Sequence, residues 1–347
     1  MDLDLLSVSP ELRTRLRALC HEYGHNLAGA EKLVGDASTR VFLRLFFNSD
    51  ESSIAMCYPD SSISEDILFM EVHGYLQGLG LPVPEIRKHF KNLGILILED
   101  LGDLLLENIV QNADESTIRL WYSKAVELAI SMIRTSDASP KRCVAHSLAF
   151  DFKKLSFEMN FFIEHFVNGF LKSNLKQSVE SELRTNLYSV CEILAEEQRF
   201  FAHRDYHSRN LMINDERLVM IDFQDARMGP AQYDLASMLR DSYVFLDDEL
   251  IDFLIDEFYQ ATHDILRQSP ERFRSVFDLM SFQRNIKALG TFGYQTNVIG
   301  TGRYVSSISR TTSYIQRNLS RNPHLVANPD IIMNLVVYPS KMLLADS

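Results

Sequence analysis

Apolar residues recur along this chain in two rhythms, and the change from one to the other falls near residue 100. Leu12, Leu16 and Leu19 are spaced to share one face of an amphipathic helix. After the polar turn Gly35-Asp36-Ala37-Ser38 comes a β-type run, Val41-Phe42-Leu43-Arg44-Leu45-Phe46-Phe47. Asn48-Ser49-Asp50 carries turn chemistry, and Ser53-Ile54-Ala55-Met56-Cys57-Tyr58 answers as a second strand, so a hairpin is predicted. The pattern turns helical from Ser64, a candidate cap, to Leu79, with Ile67, Met70 and Leu76 keeping the period. Pro82-Val83-Pro84 breaks it. Gly94-Ile95-Leu96-Ile97-Leu98 is a short continuous apolar run that predicts a buried strand, ending at Glu99-Asp100-Leu101-Gly102.

Beyond that point long helical periods dominate, over 115–135, 150–168, 177–198, 247–267, 271–298 and 303–319. The only strand-like material in this part flanks residues 200–222. The expected class is α+β. A small β-rich N-lobe, 1–101, is expected to be followed by a large helical C-lobe, 102–347.

Composition narrows the function classes. The chain has 347 residues with Lys+Arg 35 against Asp+Glu 47, a formal net charge of -12. A nucleic-acid binder would show a basic stripe, and this chain offers none, so no nucleic-acid partner is expected. No apolar run is long enough for a membrane helix, and the N-terminus lacks a basic, then apolar, leader pattern. Cys20, Cys57, Cys143 and Cys191 lie far apart and read as buried free thiols of a reducing compartment. The expectation is a cytoplasmic protein.

The chemistry concentrates at His203-Arg204-Asp205-Tyr206-His207-Ser208-Arg209-Asn210. Twelve residues on, Val219-Met220-Ile221-Asp222-Phe223 places an acid at the end of an apolar strand. Phosphoryl transfer needs a carboxylate within reach of the acceptor hydroxyl, the role open to Asp205. It also needs hard oxygen ligands for Mg²⁺ at the ATP phosphates, which Asn210 and Asp222 can supply. A turn-former role for Asp205 and a strand-end role for Asp222 are the plain alternatives. One kinase-type site accounts for all three residues together.

Residues 200–240 resemble the aminoglycoside phosphotransferase-like family of the protein-kinase-like superfamily. His203 to Met212, Ile221 to Ala226 and Gly229 to Ser237 are most similar to bacterial anomeric amino-sugar kinases. Gly35 to Arg44, Leu98 to Asp103 and Gln283 to Phe292 match that subgroup too, so the resemblance spans about residues 30–300. It implies a two-lobed protein-kinase-like fold, ATP and Mg²⁺ as cofactors, and an amino-sugar acceptor. That acceptor is N-acetylmuramate or N-acetylglucosamine, phosphorylated at the anomeric hydroxyl in cell-wall recycling. Aminoglycosides, choline-like and fructosamine-type compounds remain as other acceptors, and a pseudokinase scaffold remains as a non-enzyme reading.

The chain departs from protein kinases at its phosphate contacts. Gly35-Asp36-Ala37-Ser38 holds a single glycine, although its amides and hydroxyl can still face phosphate oxygens. No lysine occurs between Lys32 and Lys88, so the usual strand cation is missing, and Arg40 or Arg44 is the candidate replacement. Glu99, Asp100 and Leu101 resemble the strand exit whose backbone holds adenine. Glu71 then has no lysine to pair and reads as a surface or arginine-paired acid. Gln224 and Asp225 follow the metal acid and are candidate acceptor contacts, with a turn role equally open. Arg284 and Lys287 share a helix face, and the resemblance places them near the acceptor. Asp234 caps its helix or braces the catalytic loop. His21-Glu22-Tyr23-Gly24-His25 matches a zinc-protease pattern but lacks the helical context and a third ligand.

Overall fold

The computed structural model describes residues 7–23, 27–33, 40–49, 51–59 and 63–345. Gly35, Asp36, Ala37 and Ser38 lie outside the described residues, as do Gly24, His25 and the Ser64 side chain. The chain divides into two compact units, Met1–Leu104 with Met212–Gln224, and Leu105–Leu211 with Asp225–Ser347.

The first unit begins with helix α1 (Pro10–Tyr23) and is built on an antiparallel sheet. Its strands are β1 (Leu27–Lys32), β2 (Val41–Phe47), β3 (Ser52–Cys57), β4 (Ile86–Phe90) and β5 (Ile95–Glu99), in the order β1-β2-β3-β5-β4. Period-two alternation sends Leu43 and Leu45 of β2 to one face. Register aligns Leu43 with Ala55 and Ala55 with Ile97. Leu12, Leu16 and Leu19 of α1 close that face, so the expected helix is a lid on the sheet. Each fully buried leucine contributes about 1.5–3 kcal/mol. β1 and β4 carry no strand signal in the sequence. Both are sheet edges, where polar runs such as Ile86-Arg87-Lys88-His89-Phe90 are tolerated because only one side must pair. Helix α2 (Ile63–Gly78) follows β3, with Glu71 exposed on it.

Strands β7 (Leu211–Asn214) and β8 (Arg217–Met220) form a hairpin whose central Asp215 and Glu216 both take positive φ, 47° and 60°. That is the two-residue turn whose twist matches paired strands. The expected 102–347 lobe included this hairpin, whereas the structure groups it with the sheet. The Ile213 amide donates to the Leu104 carbonyl (2.8 Å) and the Met220 amide to Pro82 (2.9 Å).

The second unit is mostly helical: α3 (Leu106–Asn112), α4 (Glu115–Ala138), α5 (Phe152–Phe162) and α6 (Gln177–Ala195), then α7 (Gln232–Leu239), α8 (Asp248–Leu266), α9 (Pro270–Asn297) and α10 (Val305–Arg321), with α11 (Pro329–Ile332) and α12 (Tyr338–Ala345) at the end. A π-helical segment, Ile163–Phe170, continues α5. Strand β6 (Arg199–Ala202) pairs antiparallel with β9 (Arg227–Pro230), so both ends of the reactive segment are pinned. Every residue of α7 is buried, and α9 is the longest of these helices, started by Ser269 as cap and Pro270 in its first turn. None of the four cysteines is in a disulfide, and burial pushes the Cys57 and Cys191 thiols up to about 12. No helix among the described residues is long and apolar enough to cross a membrane.

Candidate active site

In the sheet unit, the residue after β8 and Ile221 is Asp222, with φ 63°. Phe223 next to it is fully buried and stacks on Phe69 of α2 at 5.0 Å, with His73 at 6.0 Å. Burying that ring turns the chain and leaves the Asp222 carboxylate 44% exposed. Asp222 Oδ1 accepts from Arg40 Nη2 (3.1 Å) and from Gln224 Nε2 (2.9 Å). Arg40 also places Nη1 3.6 Å from Met56 Sδ, on the strand that lacks a lysine.

Arg44 points its cation elsewhere. Its guanidinium forks onto Asp100 (2.7 and 3.2 Å) and reaches Asp103 (2.8 Å) and the Gly102 carbonyl (3.1 Å). Those carboxylates hold its pKa well above the usual arginine value. Gly102, at φ 79°, supplies the turn that lets Asp100 accept from its amide (3.0 Å). The Glu99 side chain accepts from the Glu85 amide (3.0 Å), and Leu101 is buried. The side chains of Glu99, Asp100 and Arg44 thus organise the strand exit itself.

In the helical unit, the 203–210 loop is held from several sides. Asp234 on α7 accepts from the amides of His203 (2.6 Å) and Arg204 (3.0 Å), so it braces the loop. Burial raises the Asp234 carboxyl despite His203 and these amides. Arg204 has φ 85°, a conformation that costs a non-glycine residue about 1–3 kcal/mol. Its carbonyl accepts from Arg284 Nη1 (2.6 Å), so the strained residue is clamped at both its amide and its carbonyl. Arg284 lies over the Tyr233 ring (4.8 Å), and Arg204 pairs with Asp225 (2.7 Å).

Asp205 then presents its carboxylate to Lys287, whose Nζ donates to Oδ1 at 3.0 Å. Burial pushes the Asp205 carboxyl up, but Lys287, Arg204, Arg284 and His207 together outweigh it and hold it well below the usual range. Burial and the neighbouring arginines lower Lys287 in turn, against the pull of Asp205. Asn210 Nδ2 donates to the Asp205 carbonyl (2.9 Å). Ser208 is fixed by Asp241, and Arg209 forks onto Glu107 (2.8 and 3.0 Å).

The structure therefore brings Asp205, Asn210, Asp225, Arg284 and Lys287 together in one unit, and Arg40, Asp222 and Gln224 in the other. All four candidate acceptor residues have protein partners: Gln224 on Asp222, Asp225 on Arg204, Arg284 on Arg204 and Lys287 on Asp205. Sequence reasoning missed Asp241 and Glu107, which act on the loop from 33 and 102 residues away and leave no local signal. The Arg204 clamp was hidden for the same reason, with Arg284 80 residues downstream.

Asn210 and Asp222 each carry an oxygen of the hard type that Mg²⁺ takes. Asn210 spends its amide NH₂ on the Asp205 backbone, which leaves Oδ1 as an oxygen ligand. Both bonds to Asp222 fall on Oδ1, so Oδ2 remains for a cation. No group of three His, Cys, Asp or Glu side chains suited to a metal occurs among the described residues, and a phosphate-bridging Mg²⁺ requires none.

A loop with a held carboxylate and a following amide, plus a strand-end acid with an arginine, defines a kinase-like phosphotransferase. The comparisons agree. The chain belongs to the Phosphotransferase enzyme family, whose sequence model matches residues 29–271. It is 28% identical over 310 residues to the N-acetylmuramate/N-acetylglucosamine kinase of Pseudomonas aeruginosa, covering 86% of each chain. To the protein of the same name in Neisseria meningitidis it is 26% identical, covering 87% of this chain and 89% of that one. Among solved structures it resembles ADP-bound aminoglycoside phosphotransferase APH(2'')-Ib, with TM-score 0.61, 12% identity and coverage of 89% and 97%. It also resembles a choline kinase from Cryptosporidium parvum, with TM-score 0.60, 15% identity and coverage of 91% and 99%. The expected protein-kinase-like fold is thus borne out.

Proposed function

We propose that this chain transfers the γ-phosphoryl group of ATP to the anomeric hydroxyl of N-acetylmuramate or N-acetylglucosamine. The observation that carries the reading is the Asp205 carboxylate, fixed by Lys287 on a loop whose backbone is clamped by Asp234 and Arg284. The relatives' names supply the sugar.

Asp205 accepts the proton of the acceptor hydroxyl as that oxygen forms its bond to the γ-phosphorus and ADP departs. A carboxylate pulled this low is a weak base. The anomeric hydroxyl is the most acidic hydroxyl of a reducing sugar, so it suits such a base best. Asn210 and Asp222 would hold Mg²⁺. When bound, the ion neutralises phosphate charge and orients the γ-phosphoryl group. Arg40 serves as the phosphate cation in place of the missing strand lysine. Arg44 is the weaker choice, because Asp100 and Asp103 already claim it. Lys287 and Arg284 serve the loop. The backbone after Glu99 holds adenine. Location in the cytoplasm follows from this reading, since ATP and recycled cell-wall sugars meet there.

The cations around Asp205 disfavour the aminoglycoside and choline-like acceptors, whose positive charges would meet Lys287, Arg204 and Arg284. Turnover of ATP against a panel of both sugars, an aminoglycoside and choline tests the reading. Phosphorus NMR of the product then gives the regiochemistry. An anomeric phosphate is expected, and a 6-phosphate or activity confined to a cationic acceptor overturns it.

A further inference from the structure

The helical unit holds an aromatic cluster that the chemistry above leaves unused. Phe161, at the end of α5, His165, in the π-helical segment, and Tyr294, near the end of α9, meet ring to ring. Phe161–His165 centroids lie 4.2 Å apart, His165–Tyr294 5.0 Å and Phe161–Tyr294 5.5 Å. Phe157, one turn earlier and 59% exposed, extends the row at 6.3 Å. Phe161, His165 and Tyr294 are half-buried, so the cluster presents ring surface to solvent and is not closed core.

Two local devices build this cluster. π-helical turns are rare and are found mostly at functional sites, because they re-aim side chains that a regular helix would point elsewhere. Here the segment Ile163–Phe170 carries His165. The segment lies against Gly293 of α9, and Phe162, the last residue of α5, lies against Gly290. A Cβ on Gly290 would come within 2.9 Å of Phe162 Cα, and one on Gly293 would strike the His165 carbonyl. Only glycine allows this approach, and the approach puts His165 against Tyr294.

The cluster is continuous with the acceptor end of the site. Arg284, Lys287, Thr291 and Tyr294 stand three or four apart and form one stripe along α9. Lys287 touches Asp205, and Thr291 donates to the Lys287 carbonyl at 3.4 Å. From Lys287 to Tyr294 the helix rises about 10 Å. That step exceeds one pyranose ring and matches two joined rings. With a reducing-end hydroxyl at Asp205, the rest of the acceptor must extend away from the reacting atom, and this stripe offers a path that ends on aromatic faces. Rings with polar edges suit a sugar, which pairs an apolar C–H face with a rim of hydroxyls.

We propose that Phe161, His165 and Tyr294 form a platform for a second sugar ring, so that disaccharides with an N-acetylated amino sugar at the reducing end are acceptors. This rests on the sugar-kinase reading above. The test compares N-acetylglucosamine with its β-linked disaccharide on the full chain, by calorimetric affinity and by anomeric phosphate formed. The disaccharide is expected to bind about tenfold more tightly, the usual scale of one aromatic stacking contact. Tyr294→Ala removes that advantage and leaves the monosaccharide affinity and the KM for ATP unchanged, while Tyr294→Phe retains it. Equal binding of the two sugars by the wild-type chain overturns the platform, as does a Tyr294→Ala loss shared by both sugars. In either case monosaccharide turnover leaves the sugar-kinase reading standing. Failure of both sugars to bind removes that reading and the platform with it.

Discussion

Asp205 and Asp222 are carboxylates of similar solvent access, side chains 27% and 44% exposed, yet the two units treat them in opposite ways. Asp205 faces Lys287, Arg204 and Arg284, cations that belong to the protein and hold its charge in place. Asp222 meets one arginine and one amide, both on the same oxygen. Under the proposed function the contrast separates two chemical duties. An acid–base group must sit at one angle to the acceptor, so its partners are internal and fixed. A metal ligand needs its strongest partner to arrive with the nucleotide, so one internal cation, Arg40, on one oxygen is a lighter hold than three.

The sharpest way to break this comparison is at Asp222. Asp222→Asn is expected to reduce turnover by more than about 10³, because a neutral amide neutralises Mg²⁺ poorly. Chelating the divalent ion should silence the wild-type chain equally. Near-wild-type turnover of the variant at limiting Mg²⁺ takes Asp222 out of the metal site. Next in size is Asp205→Asn, with kcat expected to fall by on the order of 10²–10⁴ while nucleotide affinity holds. Loss of ATP binding in that variant would make Asp205 a structural residue.

Lys287→Met tests whether the fixed carboxylate needs its fixed partner. Removing a charge-assisted hydrogen bond of this kind costs about tenfold to a hundredfold in kcat, and Lys287→Arg should recover part of it. An equal kcat in the Met variant would return Lys287 to the acceptor. The smallest expected effect belongs to Arg40→Met, a rise of about tenfold in the nucleotide Kd. The urea midpoint should not move, since an ion pair with a half-exposed carboxylate contributes little to stability. A shifted midpoint with unchanged Kd would make Arg40 a structural arginine.

How much was legible depends on distance along the chain. His203 to Asn210 and Asp222 lie within twenty residues of one another on a strand, a loop and a hairpin, so spacing alone marks them. Arg284 and Lys287 were reached only through resemblance, as acceptor candidates, and their bonds to the Arg204 carbonyl and to Asp205 had no signal in the sequence. The hairpin carrying Asp222 illustrates the limit. Its strands are readable, but its allegiance to the sheet unit comes from two hydrogen bonds, to Pro82 and Leu104, that no local pattern encodes. Edge strands β1 and β4 were unreadable for a different reason: half-paired strands tolerate polar residues and show no period.

Taken alone, then, the sequence determines the two rhythms, the α1 leucine face, the reactive loop and the strand-end acid, and by resemblance the chemistry these serve. Tertiary structure alone decides that Arg40 meets Asp222 while Arg44 is claimed by Asp100 and Asp103, and which residues clamp Arg204. It also decides that α9 brings one lysine to Asp205 and one tyrosine to an aromatic cluster. Covalent spacing dictates what shares a turn or a strand end. Partnerships across 80 residues or more, such as Arg284 with Arg204, exist only after helices have packed, because burial and not chain proximity makes those contacts favourable.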